Sequence, residues 1–243
     1  MSQFFADVRD TVLPRHEPRH GPLPPLMLAM TLVTGLVDAF SYLVLGHVFV
    51  ANMTGNVVLL GFALVGAPGF SISASLTALA SFFAGATAGG RLGSKLPDHR
   101  GRLLSTAATI QAVFLATAVA FGFLSGVPVA GGYRYGFIAV LGIAMGIQNA
   151  AARKLAVPDL TTTVLTLTIT GVAADNALVG GPGSKAGRRL IATATMLVGA
   201  LIGAALVIHA NIRYPLIVAL VMIVLVAGAS WRLGKSDPAW VRV

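Results

Sequence analysis

Asn52, Thr54 and Asn56 stand at alternate positions inside the apolar stretch "FVANMTGNVVLLGF". Asn and Thr side chains accept hydrogen bonds from the backbone N–H groups that a helix start leaves unpaired, so the spacing predicts a helix beginning near Thr54. A helix that begins among apolar residues aims those donors, and the positive end of its dipole, at whatever lies before it. That arrangement suits an anion or a carboxylate. A second set, Asp159, Thr161 and Thr163 in "VPDLTTTVLTL", repeats the pattern later in the chain. Asp38 precedes the first set, and Gln148 and Asn149 precede the second. These residues are the candidates for binding a solute or an ion. Plain capping of two helix starts is the structural alternative, and it does not exclude contact with a solute.

Asp38 carries the sharpest chemistry. An ionised carboxylate well inside a membrane span costs roughly 2.5–3.5 kcal/mol or more. No basic residue occurs in the apolar core of any span to pair with it. Coupling of transport to a proton, or coordination of a cation, would use such a group. A protonated clamp to Asn149, Thr54 or Asn56 would use it structurally. Asp175 sits near the end of its segment and reads as a helix-end carboxylate. The chain has no HExxH and no GxSxG, and its five histidines form no ligand pattern, so neither an enzyme nor a metal or other cofactor is expected. "GGRLGSK" and "GGPGSK" place Ser before Lys with the wrong spacing for a phosphate loop and read as loops.

The elements that must position these residues follow from composition. Hydrophobic residues make up 56% of the 243, charged residues 10%, and the mean hydropathy is +0.84. A soluble domain carries roughly 25% charged residues, so the chain is an all-α polytopic membrane protein with the lipid bilayer as its partner. Its net charge of +9 lies in short runs between apolar segments, where basic residues set topology, so nucleic acid is not an expected partner. Cysteine is absent, which excludes disulfides and thiol chemistry. The N-terminus lacks the early apolar core of a secretory signal. Phe4, Val8 and Val12 recur at helical spacing, predicting either a short surface helix over 3–13 or a disordered tail.

Apolar segments fall at 26–46, 48–67, 73–92, 103–126, 133–152, 157–179, 189–210 and 214–231. If all cross, Arg and Lys divide poorly between the two sides. If the second and sixth enter and leave on one side, only Arg134 and Arg213 remain outside, as the positive-inside rule prefers. The expected architecture is therefore about six transmembrane helices plus two re-entrant or broken segments, with both termini cytoplasmic. Weak crossing by those two segments is the alternative.

"GLVDAF" aligns with "GIQNAA", and "VANMTGNVVLL" with "VPDLTTTVLTL". Gly85 and Gly89 match the spacing of Gly199 and Gly203, a small-residue pattern for close helix packing within the chain or in a homo-oligomer. Each half then holds three crossings, so the second half is inverted relative to the first, the recurrent plan of secondary transporters. The expected organisation is a tail at 1–25, a first membrane repeat at 26–126, a second at 127–232 and a tail at 233–243.

The stretches "GLVDAFSYLVLGHVFVANMTGNVVLLG" and "GIAMGIQNAAARKLAVPDLTTTVLT" resemble the YoaK-like family of bacterial inner-membrane proteins, a domain of unknown function. The resemblance implies a multi-pass protein of the cytoplasmic (inner) membrane and brings no reaction or substrate. From the repeat argument, the expected function is a secondary transporter or permease for a small solute, anionic among the options, with a coupling proton or cation. A non-transporting scaffold or a subunit of a larger membrane complex is the alternative.

Overall fold

The computed structural model describes residues 2–13, 20–160, 162, 165–174, 186–235 and 239–241. Nine α-helices appear among them: α1 (Ser2–Val12), α2 (Leu23–Val44), α3 (Met53–Leu64), α4 (Ile72–Lys95), α5 (Arg100–Leu124), α6 (Gly131–Leu155), α7 (Leu165–Ala174), α8 (Ala186–His209) and α9 (Tyr214–Gly234). A short 3₁₀ turn follows at Ala239–Val241. Six of them, α2, α4, α5, α6, α8 and α9, are long and apolar enough to cross a membrane. α3 and α7 are the short helices of the two interrupted segments.

Contacts between helix ends fix which ends lie together. The Arg100 guanidinium donates to the Leu155 carbonyl and meets His20, Gly101 lies against Gly234 and Trp240, and Gly93 lies beside Lys154. The starts of α2 and α5 thus share one end of the bundle with the ends of α4, α6 and α9. Arg91, Lys95, Arg102, Arg153 and Arg232 also belong to this basic end. At the far end, Arg134 Nε donates to the Leu45 carbonyl at 2.7 Å and Arg213 Nε to the Gly122 carbonyl at 2.7 Å. Each of these three arginines caps the carboxyl end of a helix other than its own, where unpaired carbonyls and the negative dipole end favour a cation.

α2 and α6 form the centre. Their most apolar stretches are 67% and 61% buried, against 17% for α8. α4 packs along α6, α2 along α8, and α5 along α9, while α3 leans on α4 and α7 on α8. Exchanging α2–α5 with α6–α9 leaves this set of principal neighbours unchanged. Glycines permit the closest approaches. A Cβ on Gly35 would lie 2.3 Å from the Met196 carbonyl oxygen, and one on Gly146 would lie 2.3 Å from that of Phe82. Gly199 meets the Leu32 backbone as Gly85 meets that of Ile143. Gly203 meets Leu36 and Ala39 as Gly89 meets Ile147 and Ala150. The small-residue pattern thus packs helices within one chain.

Exposed Phe83, Leu197, Leu201, Val224 and Leu225 cover the outside, as a hydrocarbon solvent requires. Most span boundaries fall within a few residues of expectation. α3 begins at Met53, one residue before Thr54, and α7 is described from Leu165, the expected start at Thr161 lying outside the described residues. The N-terminal segment is helical and docked, with Thr11 buried and its hydroxyl accepting from Arg188 Nε of α8 at 3.3 Å.

Candidate functional site: a carboxylate-held break and a buried amide tract

At the far end of α2 the chain turns back into the protein. Leu45 N–H donates to the Ser41 carbonyl and His47 N–H to that of Tyr42, and Gly46 (φ +85°) and His47 (φ +56°) both take positive φ. Gly46 suits that backbone, and a Cβ there would also strike the Arg134 guanidinium at 2.2 Å. His47 is held there by its surroundings: its ring packs on Tyr42 and Phe70, and Nδ1 lies 3.1 Å from the Gly69 carbonyl oxygen. Gly69 belongs to the loop after α3, so both ends of this segment meet at the same end of the bundle.

Between those ends, residues 48–52 descend beside α2 without regular structure. Backbone N–H groups there face no water and need partners. Asp38 supplies one: its Oδ1 accepts from Val50 N–H at 3.1 Å and Ala51 N–H at 2.9 Å. Asp38 lies six residues before the end of α2, so the descent reaches roughly 9 Å inside that end. Asn56, fully buried, holds the same loop from the other side. Its Oδ1 accepts from Phe49 N–H at 2.9 Å and its Nδ2 donates to the Phe49 carbonyl at 2.6 Å. Asn52 is the N-cap of α3, accepting from Gly55 N–H at 3.2 Å.

These bonds revise two expectations. The partners of Asp38 are backbone donors of the break, not the side chains of Asn149, Thr54 or Asn56. The donors in front of α3 therefore already face a carboxylate, that of Asp38. Thr54 is exposed on the outside of α3 and does not join them. Because Asn56 satisfies both backbone polar groups of one residue, Phe49, Asn56→Leu should cost on the order of 3 kcal/mol. Thermal unfolding in detergent measures it, and a loss under about 1 kcal/mol would sink the assignment.

The second set is arranged differently. Gln148, fully buried on α6, donates from Nε2 to Thr34 Oγ1 at 2.9 Å and more weakly to the Met30 carbonyl at 3.4 Å. Its Oε1 accepts from Gln111 Nε2 of α5 at 2.6 Å. The Thr34 hydroxyl donates to the Met30 carbonyl at 3.0 Å, so one directed chain of hydrogen bonds ties α5, α6 and α2 together near mid-span. Gln111 Oε1 is buried without a partner. An amide tract of this kind, with an open acceptor inside a membrane bundle, can read the donors of a polar solute. Thr34 lies one turn from Asp38, roughly 6 Å along α2. No hydrogen bond joins the tract to the break among the described residues.

Asn149 donates to the Met145 carbonyl at 2.8 Å and faces a cavity between α4 and α6. Asp159, with φ +64°, pairs with Arg189 of α8 at 2.8 Å, so its carboxylate faces a fixed cation. Thr161, Thr163 and Asp175 lie outside the described residues. Thr34, Gln111 and Arg189 are not among the residues picked out from the sequence. A lone glutamine within "TAATIQAVFLA" was the one available signal for Gln111.

Comparison with known proteins agrees with a membrane-spanning chain. The chain is 37% identical over 155 residues to the UPF0700 transmembrane protein YoaK of Bacillus subtilis (strain 168). The aligned part covers 62% of this chain and 65% of that protein, so it spans slightly less than two thirds of the relative's length. No solved structure matches the chain. The family model described as protein of unknown function (DUF1275) matches residues 26–229, from within α2 to near the end of α9. The chain is an integral membrane protein that belongs to the DUF1275 family.

Proposed function

We propose that the protein is a secondary transporter or permease for a small polar solute, built from two three-span repeats of opposite orientation. The observation that carries this reading is the recurrence of the same glycine contacts in both halves, Gly35 on Met196 and Gly146 on Phe82, beside an interrupted segment in each. Inverted pairs with interrupted helices place their solute site between the repeats. Here the groups between α2 and α6 are Thr34, Gln148 and Gln111, which bind the solute. Asp38 couples the position of the break to a proton or cation. Because the donors of the first break are held by Asp38, an anionic solute has to find its partners in the second half. The basic end is the cytoplasmic side of a bacterial inner membrane, and both termini lie there.

The test starts from topology. In this cysteine-free chain, Ser71→Cys should react with an impermeant maleimide from outside the cell, and Lys235→Cys only after permeabilisation. Proteoliposomes with a trapped pH dye are then challenged with small carboxylates, inorganic phosphate and small amides. A flux that falls at least tenfold in Gln148→Leu supports the reading. Labelling of Ser71→Cys only after permeabilisation would refute the inverted arrangement. Correct topology with no flux of any probe would point to a scaffold instead.

A further inference from the structure

The cavity between α4 and α6 opens at the basic end and has a volume of about 730 Å³. Its α4 wall is a single stripe at helical spacing, Phe82, Ala86, Gly90 and Ser94. Its mouth carries Arg153 and Lys154, both exposed, and neither forms an ion pair among the described residues. Nothing approaches within 4 Å of where a Cβ on Gly90 would sit, so the floor of the groove is open at that level.

We infer that this groove holds an anionic phospholipid, with the phosphate at Arg153, Lys154 and Ser94 and an acyl chain along Ala86 and Gly90 toward Phe82. Length favours a lipid over a free anion. From Ser94 to Phe82 the stripe descends roughly 18 Å, and one leaflet of hydrocarbon is about 15 Å thick. A small soluble anion would use the mouth and leave the apolar wall bare. Charge fixes the headgroup class: two cations at the depth of the lipid phosphates select anionic over zwitterionic lipid. The groove lies apart from the Gln148 tract, and its lipid would bind whether or not the protein moves a solute.

The test uses the full chain in nanodiscs of equal parts phosphatidylglycerol and phosphatidylcholine, released into native mass spectrometry. The wild type should retain phosphatidylglycerol preferentially. In the double variant Arg153→Gln, Lys154→Gln that preference should fall about 25-fold, taking about fivefold per charge. Gly90→Leu, which fills the groove from an open position, should lower retention of the lipid with both charges in place. Lys154→Gln keeps the Cβ and Cγ that lie beside Gly93, so the double variant stands even if Gly90→Leu does not assemble. Equal retention of the two lipids by the wild type, or unchanged retention in the double variant, would overturn the inference. So would saturable binding of inorganic phosphate in lipid-free detergent that is lost with the same two charges, since the occupant would then be a free anion.

Discussion

Gly146→Val is expected to lose about 3 kcal/mol or more of stability, enough for most of the protein to fail assembly. The reason is distance. A Cβ at Gly146 falls 2.3 Å from the Phe82 carbonyl oxygen and 2.6 Å from the Ala86 nitrogen, both backbone atoms of α4. Backbone cannot swing aside as a flexible side chain can, so α4 and α6 must separate along their length. Overpacking a tight interface costs about 1–3 kcal/mol when neighbours can relax, and more when they cannot. The control is Gly228→Ala on α9, where nothing lies within 4 Å of the added atom. There the exchange should leave stability unchanged or raise it by up to about 1 kcal/mol, from helix propensity alone. Unfolding in detergent, followed by tryptophan fluorescence, compares the two. A loss under about 1 kcal/mol in Gly146→Val would mean that the close approach does not hold the bundle together.

Asp38 separates two roles that one residue can play. Asp38→Ala removes the acceptor of two N–H groups, on Val50 and Ala51, in a place without water. Each orphaned donor costs about 1–3 kcal/mol, so the variant should lose on the order of 4 kcal/mol. Asp38→Asn keeps an oxygen able to accept from both donors and should lose about 1 kcal/mol. If Asp38→Asn folds normally yet has no flux, the charge itself takes part in coupling. If it folds and transports as the wild type does, Asp38 is a clamp for the break and nothing more. Comparable destabilisation in the two variants would contradict the geometry, because shape without charge should be enough to hold the loop.

How much of this was legible in the sequence depended on whether a feature speaks through side-chain pattern. The spans spoke plainly: the segment expected at 133–152 is Gly131–Leu155, longer because Arg153 and Lys154 extend the helix with their charged heads at the mouth of the groove. The break spoke through Asn52, Thr54 and Asn56, although Asn52 caps the helix and Thr54 merely sits in its first turn. What Asp38 binds could not be read, because its partners are N–H groups that every residue except proline possesses. Gln111 was invisible for another reason. It is a single amide in an apolar span, and its partner, Gln148, lies 37 positions away on another helix. Arg189 looked like one more basic residue at a helix start, and only its contact at 2.8 Å gives Asp159 a fixed counter-charge.

The glycine contacts also bear on how the protein is made. α2 finds its close partner in α8, and α4 finds its own in α6, so each early helix waits for one not yet synthesised. During biosynthesis the first half must therefore sit in the bilayer with the grooves at Gly35 and Gly85 lined only by lipid. The native bundle can close around the Gln148 tract only after α8 has emerged from the ribosome and inserted.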